Sequence, residues 1–132
     1  MSRICLDTSA YSQFRRGHRP VVDRIDSARE IFIPAIVLGE LRAGFRLGKL
    51  STENEGQLQS FLGHPVVSVV EVDDETASHY ADLWVDLRRA GTPVPSNDVW
   101  VAAAALRCGS MVLTYDDHFE KMSRVGCNVL SL

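Results

Sequence analysis

The chain has 132 residues, of which 45% are hydrophobic and 23% are charged, and its formal net charge at pH 7 is −3. A chain of this length fits one domain spanning residues 1–132, and it can bury enough surface to fold without disulfides or a structural metal. The composition is typical of a globular domain and excludes a protein that depends on a disulfide framework.

Short β-branched runs alternate with longer segments of helical periodicity along the chain. This alternation is typical of an α/β fold with a central parallel sheet of about five strands and helices on both faces. Ser96 is predicted to be the N-cap of the sixth helix, which is apolar almost all round and is therefore expected to be buried. The predicted strands cover residues 3–6, 31–33, 66–72, 110–114 and 127–130, and the predicted helices cover 8–16, 20–29, 35–47, 51–62, 73–90, 97–108 and 117–124.

The charges are unevenly distributed. Residues 1–50 hold nine Arg or Lys and five Asp or Glu, whereas residues 51–132 hold five and twelve. If four acids surround metal ions, the rest of the chain carries +1, so the net charge does not exclude RNA as a partner. Taken alone, the basic stretch is more simply interpreted as a solvated face.

The cysteines indicate a reducing compartment. Cys5, Cys108 and Cys127 form an odd set without a C-x-x-C motif, which argues against disulfides or a zinc site and favours buried free thiols. Asp7 interrupts any apolar N-terminal run, and the longest apolar run, residues 99–106, is too short to span a bilayer. We therefore expect a cytoplasmic protein with no membrane partner.

Four acidic residues lie where a parallel sheet would gather them. Asp7 follows the first predicted strand, and Asp116 lies just past the fourth. Ligands bind outside the carboxyl ends of strands in such sheets. Asp98 begins the buried helix, and Glu40 borders the apolar stripe of the third helix. Singly, each acid is better explained as a helix cap, a turn or a surface residue; the joint placement is what indicates a site.

Carboxylates gathered in one cleft repel each other, and divalent cations such as Mg²⁺ or Mn²⁺ relieve that repulsion. Such ions can polarise a phosphodiester and activate water. Histidine chemistry is less favoured, because His18, His64, His79 and His118 show no ligand spacing. His118 is interpreted as a surface residue of a turn.

Four segments, in this order and spacing, resemble the PIN-domain family, and within it the VapC-like toxins of bacterial toxin–antitoxin pairs. Any one of the segments is a weak signal, whereas all four together span nearly the whole chain. They are residues 4–9 (ICLDTS), 33–41 (IPAIVLGEL), 97–103 (NDVWVAA) and 113–119 (LTYDDHF).

The resemblance implies a PIN fold and a Mg²⁺- or Mn²⁺-dependent endoribonuclease. It also implies a homodimer and a VapB-like antitoxin that places an Arg or Lys near the acidic site. The implied metal-binding and catalytic residues are Asp7, Glu40, Asp98 and Asp116. The residues implied to support them are Thr8, Ser9 and Thr114, whose hydroxyls would orient carboxylates. Basic residues implied to hold RNA phosphates are Arg15, Arg16, Arg19, Arg42, Arg46 and Lys49.

Several alternatives stay open at this point. The fourth acid is either Asp116 or Asp117, with the Thr-x-Asp spacing in favour of Asp116. Asn97 either holds the substrate or caps its helix. The chain could instead be a catalytically silent PIN scaffold that binds a partner, although its four acids are intact. An acid-cluster phosphatase is less favoured, because Ser9 stands where the haloacid-dehalogenase type has a second aspartate.

Overall fold

The computed structural model describes residues 2–132, which form five strands, six α-helices and one 3₁₀ helix. In chain order the elements are β1 (Arg3–Leu6), α1 (Thr8–Arg15), α2 (Arg19–Ser27), β2 (Glu30–Pro34), α3 (Ala35–Leu47), α4 (Ser51–Leu62), β3 (Val67–Val70), α5 (Asp74–Ala90), α6 (Ser96–Cys108), β4 (Met111–Thr114), the 3₁₀ helix (Asp117–Lys121) and β5 (Cys127–Val129).

The strands form one parallel sheet in the order β3-β2-β1-β4-β5. The chain moves outward from β1 to β3 on one side and then continues from β4 to β5 on the other. Because parallel crossovers are right-handed, this reversal puts α1–α4 on one face and α5 and α6 on the other. Three consecutive residues of β1, Ile4, Cys5 and Leu6, are buried, as expected for a strand covered on both faces. The predicted fold class is confirmed.

The reversal of strand order lies between β1 and β4, whose carboxyl ends are therefore neighbours. In open α/β sheets the crevice outside such a switch point is where ligands bind. Helix α6 packs across β1, β2 and β4, so its N-terminal end faces the same edge. The fold thus brings three segments together at one place.

Helix α6 can lie close to the sheet because small side chains cover most of its surface. Val99, Val101 and the four residues 102–105, all alanines, are buried. The helix ends at Gly109, which adopts a left-handed conformation (φ 61°) that glycine tolerates without strain. Among residues 2–132, no helix is both long and apolar enough to cross a membrane.

The structure corrects several local predictions. Ser96 is the first residue of α6 rather than its N-cap, which is Pro95. The predicted helix 117–124 is a shorter 3₁₀ helix that ends at Lys121. The expectation of buried free thiols is right for Cys5, whereas Cys108 and Cys127 are free but only half-buried.

The close packing of α6 leads to a stability prediction. Ala103 is fully buried, so Ala103→Leu forces extra methylene groups into a filled space and should lower the free energy of unfolding by about 1 to 3 kcal/mol. Ala77→Leu, at an exposed position of α5, is the matched control and should change it little. Urea unfolding of the three proteins measures the difference; equal stability of both variants would contradict close packing at α6.

Candidate active site

Asp7 is a buried carboxylate fixed by three hydrogen bonds. It follows β1 and is the N-cap of α1, with a residue exposure of 6%. Its Oδ1 accepts from the Ala10 backbone N–H at 2.9 Å and from Ser9 Oγ at 2.7 Å. Its Oδ2 accepts from Thr114 Oγ1, at the end of β4, at 2.5 Å. Asp7 therefore joins the ends of the two central strands.

The environment of Asp7 is unfavourable to its charge. Burial raises the pKa of this carboxyl above its usual value, and the negative charge of Asp98 adds to the effect. The hydrogen bonds from Thr114, Ala10 and Ser9 act in the opposite direction but do not outweigh burial. A group that is costly to ionise yet so well oriented is typical of a functional site.

Asp98, Asp116 and His118 form a tight cluster beside Asp7. One ligand atom from each residue lies within 4.8 Å of the other two. His118 Nδ1 lies 3.0 Å from Asp116 Oδ1 and 3.2 Å from Asp98 Oδ2. Asp116 also caps the 3₁₀ helix, because its Oδ1 accepts from the His118 backbone N–H at 2.9 Å. The cluster thus combines the start of α6 with the loop after β4.

Asp98 interacts with most of the other charged groups of this edge. Burial is the largest cause that raises its pKa, and the charges of Asp116 and Glu40 raise it further. The hydrogen bond with His118 lowers it, but the net direction is upward. Asp98 also raises the pKa of Asp7. The four predicted acids therefore form one electrostatic group.

Glu40 approaches this group from α3 and is held by two polar neighbours. Although Glu40 is exposed, its Oε1 accepts from Thr8 Oγ1 at 2.8 Å and its Oε2 accepts from Asn97 Nδ2 at 3.2 Å. These contacts connect the N-terminal ends of α1 and α6 with the middle of α3. Asn97 therefore orients a carboxylate and does not cap α6.

The remaining predicted residues fall into two groups. Thr8, Ser9 and Thr114 each donate a hydrogen bond to an acid of the group. Asp117 is exposed and begins the 3₁₀ helix, while its neighbour Asp116 lies in the cluster.

His118 is the site residue that the sequence interpretation missed. It was expected to be a surface residue of a turn, but its ring faces the Asp98 and Asp116 carboxylates. The available signal was its place two residues after Asp116, where a turn can direct its side chain back toward the acid. The separate His18 ring hydrogen-bonds the Tyr115 hydroxyl.

The predicted RNA-binding residues lie at the end of α1, at the start of α2, on α3 and in the loop after α3. A helix rises about 1.5 Å per residue, which puts Arg15 roughly 12 Å along α1 from Asp7. Arg42 is bound through two nitrogens to Glu55, at 3.1 Å each, and Arg19 pairs with Asp23 at 3.4 Å. The exposed cations among the predicted set are Arg15, Arg16, Arg19, Arg46 and Lys49.

The donor set fits a divalent metal ion. Asp98 and Asp116 offer carboxylate oxygens within reach of a common point, and His118 offers a ring nitrogen. Asp98 is also close enough to Asp7 and Glu40 for their charges to interact. A cation would relieve the repulsion among these acids, which hydrogen bonds alone only partly offset.

Comparison with known proteins agrees with this fold. The family model described as "PIN domain" matches residues 4–125. Ribonuclease VapC5 of Mycobacterium tuberculosis is 28% identical over 117 residues, covering 89% of this chain and 85% of the relative. Plasmid stability protein StbB of Pseudomonas syringae pv. tomato is 31% identical, covering 97% of this chain and 96% of the relative.

A solved structure supports the same conclusion about the fold. The crystal structure of VapBC-5, a member of the VapBC family of toxin–antitoxin systems from Mycobacterium tuberculosis, superposes with a TM-score of 0.74. It covers 100% of both chains at 24% identity. The chain therefore belongs to the PIN-domain family. Its relatives there include a VapC ribonuclease and a plasmid stability protein.

The contact between Thr114 and Asp7 allows a direct test of the site's construction. Thr114→Val keeps the side-chain shape but removes the hydroxyl that donates to the buried Asp7 and accepts from the Asp116 N–H. We expect the free energy of unfolding, measured in EDTA, to fall by about 1 to 3 kcal/mol. Thr92→Val, which removes an exposed hydroxyl bound to the Ala90 carbonyl, is the control and should change stability little. An unchanged free energy of unfolding in Thr114→Val would show that this contact does not hold Asp7.

Proposed function

We propose that this protein is a Mg²⁺- or Mn²⁺-dependent endoribonuclease that acts as the toxin of a toxin–antitoxin pair. The observation that carries the proposal is the group of carboxylates Asp7, Glu40, Asp98 and Asp116 at the switch point of a PIN fold. The similarity to a relative named ribonuclease VapC5 supports the same activity.

The residues of the site have distinct tasks in this proposal. Asp98 and Asp116 hold the metal ion directly, with Asp7 and Glu40 completing its surroundings. Thr114, Ser9 and the Ala10 N–H keep Asp7 in one orientation. The bound ion supplies polarisation of the phosphodiester and activation of the attacking water.

Glu40 has a different setting from the other acids. It is exposed and is held by Thr8 and Asn97 at its two oxygens, so it can reach a substrate or a water at the mouth of the site without leaving its position. Exposed cations on α1 and α3, such as Arg15 and Arg46, then bind RNA phosphates beyond the acids, which positions the strand without reading its sequence.

An antitoxin would inhibit this site by the same electrostatics. An Arg or Lys of a partner segment, placed among Asp7, Asp98 and Asp116, would pair with the carboxylates and compete with the metal; a bidentate Arg suits the geometry. A groove of about 270 Å³ between α1, α3 and α4, in which the partly exposed Phe45 lies beside the polar side chains of Arg15 and Arg16, offers a place for the segment to bind.

The family resemblance also implies a homodimer. A second groove, of about 410 Å³, runs beside α5 and α6, and Trp84 in its wall is 46% exposed. Exposed apolar surface of this kind supports self-association.

The chemistry predicts a specific set of products. We expect cleavage of single-stranded RNA that requires Mg²⁺ or Mn²⁺ and leaves 5′-phosphate and 3′-hydroxyl ends. The reason is that the site is built mainly of carboxylates, with one histidine in the cluster rather than a pair to act as general acid and base. Mapping of the RNA ends measures this. Undiminished cleavage in EDTA, or cyclic-phosphate products, would contradict the mechanism.

Substitution of one acid distinguishes loss of metal binding from loss of folding. Asp98→Asn should fold normally, fail to bind Mn²⁺ in a calorimetric titration and lose RNase activity. Its melting temperature without metal should stay the same or rise, because one of several repelling carboxylates is removed. Asp117→Asn is the matched control at an exposed aspartate outside the cluster. Wild-type Mn²⁺ affinity in Asp98→Asn would remove Asp98 from the metal site, and a folded wild type that cleaves no RNA would favour a silent scaffold.

Expression in a bacterial host tests the role as a toxin. The chain alone should arrest growth, and the product of the small open reading frame beside its gene should co-purify with it and restore growth. Asp98→Asn should be tolerated without that product, because the arrest depends on catalysis. Unaffected growth with wild type and no co-purifying product would contradict the toxin assignment, even where RNase activity is found.

A further inference from the structure

We propose that His118 is a direct ligand of the metal ion and that its ring nitrogen makes the site prefer transition metals over Mg²⁺. This inference rests on the proposed function, because it concerns the ion held by Asp98 and Asp116. It goes further in adding a nitrogen donor to a site that the sequence predicted to be built of oxygens alone.

The geometry of the ring carries the proposal. His118 Nδ1 lies 3.0 Å from Asp116 Oδ1 and 3.2 Å from Asp98 Oδ2, so the nitrogen faces the two carboxylates that would hold the ion. A donor atom of each residue lies within 4.8 Å of the others, which allows one ion to contact all three.

The backbone helps to keep the ring in this position. The His118 N–H donates to Asp116 Oδ1 at 2.9 Å, so the residue is tied to the same carboxylate through its main chain. The next residue, Phe119, is fully buried and anchors the 3₁₀ helix to the core. The side chain of His118 is 37% exposed, which leaves the site accessible to ions from solvent.

The chemistry of the ligand atoms then determines which ions bind more tightly because the imidazole is present. Mg²⁺ prefers oxygen ligands and gains little from an imidazole, whereas affinity for nitrogen-containing sites rises from Mn²⁺ through Co²⁺ to Ni²⁺. A site with two carboxylates and one imidazole therefore binds Co²⁺ more tightly than Mg²⁺. The competing role for His118 is a hydrogen bond that only orients the two carboxylates, which would support every divalent ion alike.

The experiment compares three variants by calorimetric titration with Mg²⁺ and with Co²⁺. His118→Ala removes the ring, and His118→Gln keeps a hydrogen-bonding side chain without the imidazole nitrogen. His64→Ala is the control, at an exposed histidine just before β3, on the opposite edge of the sheet. The visible absorption of the Co²⁺ complexes is recorded in parallel, since it reports the donor atoms directly and needs no RNA.

We expect both His118 variants to bind Co²⁺ about tenfold or more weakly than wild type, which is at least the loss seen when a residue that only supports a ligand is removed. Their Mg²⁺ affinity should be nearly unchanged, because Mg²⁺ prefers oxygen ligands. The Co²⁺ band of His118→Gln should lie at longer wavelength than that of wild type, because oxygen is a weaker-field donor than nitrogen. His64→Ala should match wild type in every measurement.

Two results would overturn the inference. Equal losses of Co²⁺ and Mg²⁺ affinity in the His118 variants would assign the ring an orienting role, and an unchanged Co²⁺ spectrum would exclude nitrogen ligation even where a variant is less stable. Either result leaves the proposed function intact if wild type binds Mn²⁺ and cleaves RNA. Failure of wild type to bind any of these ions would contradict both.

Discussion

The hydrogen bond from Thr114 to Asp7 joins the ends of β4 and β1, and the rest of the site is arranged around it. It connects two neighbouring strands at the point where the strand order reverses, and it holds a buried carboxylate that burial and Asp98 make costly to ionise. The Thr114 hydroxyl also accepts from the Asp116 N–H at 2.9 Å, so the same atom positions the loop that carries the next acid. One hydroxyl thus positions two of the four acids.

The repulsion among the acids is tolerated because the scaffold beneath them is rigid. Helix α6 carries Asp98 and is packed against the sheet through buried alanines, which leaves its N-terminal end little freedom to move away. Desolvation raises the pKa values of Asp7 and Asp98 in the same direction as their mutual repulsion. Such an arrangement is unfavourable for stability alone, and a cation at this edge would offset it.

The sequence predicts the strands and the meeting of the four acids at one edge of the sheet, for a physical reason. Apolar runs such as residues 3–6 and 110–114 indicate strands through local pattern, and parallel topology alone then brings their carboxyl ends together. The placement of Asp7 and Asp116 at this edge follows from that rule. Glu40 and Asp98 follow from the apolar helices that carry them, together with the family resemblance.

The features that the sequence does not predict depend on side-chain directions and distant contacts. The ring of His118 faces the Asp98 and Asp116 carboxylates from a 3₁₀ helix of residues 117–121, where the local pattern predicts an α-helix. The contact of Asn97 with Glu40 joins residues 57 positions apart, and the Arg42–Glu55 ion pair engages one cation of the predicted RNA-binding set. Local pattern contains no information about such pairs.

The proposed function requires these acids to form one metal site at the edge between β1 and β4. Anomalous diffraction from crystals soaked in Mn²⁺ tests this requirement most directly. We expect an anomalous peak within bonding distance of both the Asp98 and Asp116 carboxylates, on the side of the cluster that faces Asp7. A peak elsewhere on the molecule, or an Asp98–Asp116 pair without any ion at saturating Mn²⁺, would contradict it.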